Sequence, residues 1–266
     1  MLFGEQLIVV RGGGDLATGT VFRLHRAGFP VIVLELDRPL TIRRTVAVST
    51  AISAGRFQID GLTAVRVESP ADGVEVARSG QIPVLASPEL PVFPGQITAV
   101  VDARLAKRNI DTSLKDAPFV LGLGPGFTVG LDCHAVVETQ RGHRLGRVIF
   151  DGSAAPDTGV PGVIGGESAA RVVRARESGS LSWRLVIGEL VVAGDPLGDI
   201  DGAVIEAPID GVVRGLLAQG EVAVGLKIAD IDPRADRSAC FEISDKSLAI
   251  GGGAVEAVLV WLGGSG

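Results

Sequence analysis

Apolar positions follow two regimes along the chain. Up to about residue 130 they come in short runs with few polar interruptions: residues 7–11 (Leu-Ile-Val-Val-Arg), 31–36, 63–67, 82–85, 97–101 and 119–123. Runs apolar at consecutive positions suit strands covered on both faces, as in a parallel sheet. The first run ends in Gly12-Gly13-Gly14, and Leu16, Val21, Phe22 and Leu24 then offer one face of a helix predicted over Asp15–Ala27. Gly28 and Pro30 stop it. Strand, helix and strand within about thirty residues make a βαβ unit and a parallel pair.

From Ala135 onward the predicted strands are short and separated by Gly, Asp or Pro: 135–138, 147–150, 171–173, 185–190, 204–207 and 212–217. Helical periodicity is scarce there, which predicts a mostly β region. A last helix is predicted over Asp245–Leu262, with Ser244 as its cap. Gly251-Gly252-Gly253 near its middle costs about 1 kcal/mol per glycine. The helix therefore breaks there, or it packs closely against another backbone.

Composition narrows the classes. Of 266 residues, 46% are hydrophobic and 21% charged, enough for a buried core. The net charge of −6 argues against a nucleic-acid or anionic-membrane partner. No basic, apolar leader opens the chain, and no run of about 18 apolar residues occurs, so neither a signal peptide nor a membrane span is expected. Two cysteines, Cys133 and Cys240, are too few for a disulfide framework. A cytoplasmic location is expected, and a homo-oligomer is left open.

Gly12-Gly13-Gly14-Asp15-Leu16-Ala17 fits the G-x-G-x-x-G/A pattern between a strand and a helix. Glycines there let the backbone approach a phosphate, and the helix N-terminus offers free N–H groups. Glu35 ends the second strand, where an acid takes a ribose hydroxyl. Arg38, Arg43 and Arg44 follow, able to neutralise an anionic group. The fold expected is α/β: a Rossmann-like nucleotide-binding parallel sheet over 1–130, then a mostly β domain over 131–266.

Several segments together resemble a known family. Residues 10–19, Glu35 to Arg44, 122–127, 138–148, 227–234 and 243–246 are similar to the selenium-dependent molybdenum hydroxylase accessory proteins of the YqeB type. In its Rossmann part that family is related to the XdhC/CoxI maturation factors. The resemblance implies a maturation factor that binds molybdopterin or its dinucleotide and serves a molybdenum hydroxylase client. Its anionic dinucleotide would suit the glycine loop and the arginines.

Other residues carry candidate chemistry. Gly124 and Gly126, after an apolar strand, form a possible second anion-binding loop. Asp132-Cys133-His134 has zinc-like ligand types, but neighbours in a strand face opposite ways, so no metal site is expected. His143 lies between Arg141 and Arg144 and could bind a phosphate or move a proton. Cys240, near Arg234 and Lys246, is a candidate low-pKa thiolate. Residues 171–231 look like the barrel-sandwich domain of biotinyl and lipoyl carriers. The hairpin that bears the modified lysine there reads Asp201-Gly202-Ala203-Val204 here, and no lysine lies between Lys115 and Lys227, so no biotin or lipoyl attachment is expected. Two further readings stay open: an NAD(P)-dependent oxidoreductase using the same loop, and a non-catalytic interaction module with a vestigial nucleotide site.

Overall fold

The computed structural model describes residues 1–157, 159, 166–167 and 170–264. The chain divides into two compact units, each discontinuous: Met1–Pro39, Ala47–Thr158 and Ile243–Gly266 form the first, and Leu40–Val46 with Gly159–Glu242 form the second. The expected single boundary near residue 130 is replaced by four crossings of the chain between units.

In chain order the first unit holds β1 (Ile8–Arg11), α1 (Asp15–Arg26), β2 (Val31–Glu35), α2 (Ala51–Ala54), β3 (Arg56–Ile59), β4 (Leu62–Val67), α3 (Pro70–Arg78), β5 (Ile82–Ala86), β6 (Ala99–Asp102), β7 (Phe119–Leu123), β8 (Ala135–Val137) and β9 (Val148–Ile149). They make one nine-stranded sheet in the order β3-β4-β5-β2-β1-β6-β7-β8-β9. Strands β4 to β8 in that order run parallel, while β3 and β9 add antiparallel edges. The Rossmann-like, all-parallel arrangement is thus corrected to a large mixed sheet with few helices. The chain from β6 to β7, and from β7 to β8, crosses over without a helix of its own. Local pattern assigns β8 and β9 to the start of a separate β domain. Pairing with β7 draws them into the first sheet, a non-local outcome invisible to local periodicity.

The central strands are apolar because they are covered on both faces: β1 and β7 are buried at every position. Beneath the sheet Val9, Ile32, Leu34, Val100, Val120 and Val136 share one apolar cluster. Burying each such side chain contributes about 1.5–3 kcal/mol.

The second unit holds β10 (Val172–Arg174), β11 (Gly179–Trp183), β12 (Leu190–Val191), β13 (Pro196–Ile200), β14 (Ala203–Glu206), β15 (Gly211–Leu216), β16 (Gly220–Val222) and β17 (Lys227–Asp232). They form two four-stranded antiparallel sheets, β10-β17-β15-β12 and β14-β13-β11-β16. The strand expected over 185–190 is mostly turn, closed where Val186 N–H donates to Glu189 Oε1 (3.1 Å).

The C-terminal helix α4 (Asp245–Leu262) is continuous through its three glycines and belongs to the first unit, not to the β region. A side chain at Gly19 of α1 would strike the Ser247 backbone, and one at Gly251 would strike Gly19. The glycines let two helix backbones approach closely, and that contact offsets their helical cost. Ser244 caps the helix by accepting from Ser247 N–H (3.2 Å), and Trp261 stacks on Phe119 of β7 (5.5 Å between ring centroids). No helix among the described residues is long and apolar enough to cross a membrane.

Candidate functional site at the carboxyl edge of the first sheet

Because β4 to β8 run parallel, their carboxyl ends share one edge. Sequence order reverses at the centre of the sheet: β2 and β5 lie on one side of β1, and β6, β7 and β8 on the other. In open α/β sheets that switch point leaves a crevice outside the strand ends. The first glycine loop lies there. Gly12 takes a positive φ of 98°, and a side chain at that position would press on the backbone of Ala103 and Arg104, just past β6.

The loop is held from below. Gly12 N–H donates to Leu34 O (2.7 Å), and Gly13 O accepts from Ser49 N–H (2.9 Å). Gly13 N–H donates to Glu35 Oε2 and Leu36 N–H to Glu35 Oε1, both at 2.8 Å. Glu35, expected to take a ribose hydroxyl, therefore also staples the loop to the end of β2. Two of its roughly four acceptor positions are used.

Gly14 is the extended N-cap of α1, and no side chain caps the helix there. Its carbonyl accepts from Thr18 N–H (2.8 Å) and Thr18 Oγ1 (2.9 Å), and Thr18 Oγ1 in turn accepts from Val48 N–H (3.0 Å). Asp15 occupies the first turn, half-buried, and Ala17 is buried in the next positions of the helix. The first-turn N–H groups of a twelve-residue helix are the natural anion donors of this edge.

Charged side chains ring the edge from several strands. Arg11, the last residue of β1, is buried and pairs with Asp111 (2.8 Å). Its register partner Asp102, the last of β6, is held by Arg104 (2.6 Å) and Thr112 Oγ1 (2.6 Å). Arg104 also pairs with Asp111 (2.7 Å), and the two guanidiniums hold the Asp111 carboxyl below its usual range despite the cost of burial. This network was missed from the sequence. Its signal was a charge ending each of two apolar runs, Val10-Arg11 and Val101-Asp102.

Glu138, just past β8, is buried and accepts from Gln140 N–H (2.7 Å) and Ala155 N–H (2.8 Å). Lys246, in the first turn of α4, is half-buried. Burial, then the charge of Arg141, push its amine below the usual lysine range, against the pull of Asp15, Glu138 and Asp245. Arg141 pairs with Asp245 (3.0 Å). A lysine in a helix's first turn opposes the helix dipole, so local propensity does not explain it. Sequence reading gave Lys246 no role at the glycine loop, because the two lie 232 positions apart, 246 against 14.

The other expected residues are placed as follows. Gly124 and Gly126 do lie on the same edge, after β7. Gly124 N–H donates to Val137 O (2.9 Å), and Gly126 O accepts from Asn109 N–H (3.0 Å), so these groups bind neighbouring chain. His143 is in an exposed turn. Arg38 is exposed in the first unit, but Arg43 and Arg44 belong to the second. There Arg43 donates to Ala239 O (3.2 Å) and Arg44 Nε to Leu216 O (2.7 Å). The trio expected to act together is divided between units.

Cys240 is fully buried in the second unit. Burial pushes its thiol up, outweighing the pull of Arg214 and Arg43, which reverses the expectation of a low-pKa thiolate. Burial pushes Cys133 up to about 12. Among the described residues, no group of three or more His, Cys, Asp or Glu is placed to hold a metal ion.

No family model matches the chain. A curated relative, described as the uncharacterized protein YqeB of Escherichia coli (strain K12), is 46% identical over 259 residues. The match covers 97% of this chain and 48% of the relative, so the chain spans about half the length of that protein. Among solved structures, the chain is similar to a succinylglutamatedesuccinylase/aspartoacylase from Rhodobacter sphaeroides. The two are 16% identical over 85% of this chain and 84% of that one, with a TM-score of 0.26, too slight a likeness to carry over any activity. These findings correct the resemblance to molybdenum hydroxylase accessory proteins: the relative matched over nearly the whole chain carries no such assignment, and neither molybdenum nor selenium chemistry has support. Much of what carried the resemblance is glycine loops, turns and caps, which recur wherever a strand meets a helix.

Proposed function

We propose that the first unit binds an anionic nucleotide or dinucleotide, its phosphate resting on the N-terminus of α1 at the switch point between β1 and β6. The observation that carries this reading is the Gly12–Gly14 turn. It ends the central strand, is fixed by backbone and Glu35 hydrogen bonds, and opens a helix whose N-cap offers no side-chain acceptor to its own first turn. Lys246 supplies a cation at the edge, while Asp15 and Glu35 set a preference against excess negative charge. The uncommitted acceptor positions of Glu35 suit a ribose hydroxyl. NAD and NADP are therefore the first ligands to try, and hydride transfer would be the activity to look for.

The test is calorimetric titration of the chain with NAD, NADP and ADP, repeated on Gly14→Val and Lys246→Gln. Binding is expected in the wild type, lost in Gly14→Val with the fold retained, and weakened about tenfold in Lys246→Gln by the missing charge. Equal affinity in a folded Gly14→Val would remove the loop from the site.

A further inference from the structure

A carboxylate beside an anion cradle weakens the cradle, so its presence there needs a physical reason. Glu35 ends β2, half-buried, one hydrogen bond away from the glycine turn. Its charge opposes the pull of the α1 N-terminus on a phosphate. Part of the reason is structural. Oε2 accepts from Gly13 N–H and Oε1 from Leu36 N–H, both at 2.8 Å. A glutamine could not do the same, because it has one acceptor oxygen and would turn its NH2 group on the second N–H.

The staple has two consequences for a ligand on the turn. The carboxylate is fixed: both oxygens are held, and the Glu35 carbonyl accepts from Ser87 N–H (2.9 Å) at the end of β5. It cannot swing away from a group that it repels. Each oxygen also keeps an acceptor position beyond the one it uses. The ribose of a nucleotide hangs from its phosphate through one ester oxygen and one methylene carbon. With the phosphate on the first turn of α1, the sugar lies close to the turn, and the carboxylate bonded to Gly13 is the acceptor that the turn itself holds.

We propose that Glu35 reads the 2′-position of the ribose, so that the site admits nucleotides with a free 2′,3′-diol and refuses those with a 2′-phosphate. This rests on the nucleotide reading and names the ligand class within it: NAD rather than NADP. The diol offers two donors to the two open acceptor positions. A 2′-phosphate offers no donor and sets negative charge against a carboxylate that cannot turn aside. Arg38 is the guanidinium nearest in sequence that could answer such a phosphate. It lies past the end of β2 and is exposed, where water and salt screen its charge.

The experiment titrates the full chain calorimetrically with two pairs of ligands at constant ionic strength. NAD and NADP differ only in the 2′-phosphate, and ADP and 2′-deoxy-ADP only in the 2′-hydroxyl. The wild type is expected to bind NAD about a hundredfold more tightly than NADP, and ADP about tenfold more tightly than 2′-deoxy-ADP. Glu35→Gln loosens the turn for every ligand, so the two ratios are read in place of the affinities. Both should shrink about tenfold in that variant, as the charge and one acceptor are lost. The proposal is overturned if NAD and NADP bind alike, if NADP binds better, or if Glu35→Gln keeps the wild-type ratios. Equal binding of all the ligands would remove this inference alone and leave the nucleotide reading standing. No binding by any of them would end both.

Discussion

In the first unit, Arg11, Glu35 and Asp102 each stand at the last position of a strand; in the second, Arg214 and Asp230 stand inside strands. The contrast follows from how the sheets are covered. A parallel strand buried on both faces has no polar side on which to carry a charge, so charge collects where the chain leaves the sheet. The antiparallel strands β15 and β17 are nearly as buried, yet they carry charges within their length. Those charges must be answered inside the unit: Arg171 and Lys227 pair with Asp230, and Arg214 and Arg234 with Asp232. One arrangement gathers charge at an edge of the sheet; the other ties it into the core and makes the core depend on it.

The largest effect should come from striking that dependence. Asp232→Asn leaves the buried Arg214 guanidinium short of its counter-charge and is expected to cost about 3–5 kcal/mol in urea unfolding. The matching change at a strand end, Glu35→Gln, loses one acceptor beside solvent and should cost about 1 kcal/mol. Similar losses for the two would end the contrast.

A second pair of changes tests the helix contact that completes the first unit. Gly251→Val drives a side chain into the backbone of Gly19 and is expected to cost about 1–3 kcal/mol or more by overpacking. Gly252→Ala, one residue on, points into open space and should stabilise the chain by about 0.5–1 kcal/mol. A stabilised Gly251→Val would mean that the two helices do not touch there.

The smallest expected effect separates the units by pH. All three histidines lie in the first unit. Burial lowers the pKa of His25, aided by Arg26, and of His134, whose Nδ1 accepts from Val120 N–H. A depressed folded pKa means that stability is complete above the unfolded value of about 6.5 and is lost as pH falls through the folded one. In the second unit the arginines hold the Asp232 carboxyl below its usual range against burial, so its contribution persists down to about pH 4 and is lost only below. Between pH 7 and 5 the first unit alone should weaken. The two tryptophans report on one unit each: Trp261 stacks on Phe119, while Trp183 Nε1 donates to Leu217 O (2.8 Å). Urea unfolding of Trp183→Phe and Trp261→Phe, followed by the remaining tryptophan, reads them separately. Equal acid losses at both would dissolve the distinction.

Local pattern was enough to place the glycine loop, α1 to within a residue of its end, and α4 with its cap. Those features depend on neighbours in sequence. The order of the strands, the antiparallel edges β3 and β9 and the membership of β8 depend on pairing across long separations, on which periodicity is silent. The strands β11 and β13, Gly-Ser-Leu-Ser-Trp and Pro-Leu-Gly-Asp-Ile, were missed because their apolar positions are too few to stand out. At the candidate site the glycine loop and Glu35 were legible, and the charged side chains that reach it from elsewhere were not. Arg43 and Arg44 follow Arg38 by a few residues, yet the chain has already passed into the other unit between them. Lys246 reaches the edge only because two sets of helical glycines fit together.

That fit has a consequence for the order of events during synthesis. Helix α1 is made before the second unit and α4 after it, with the whole of the second unit made between them. Until α4 leaves the ribosome, the Gly19 face of α1 and the outer surface of β7 have nothing to rest on. A nascent chain stalled before Ile243 should therefore hold a finished second unit and an unfinished first one, with α4 acting as the latch that closes the first unit.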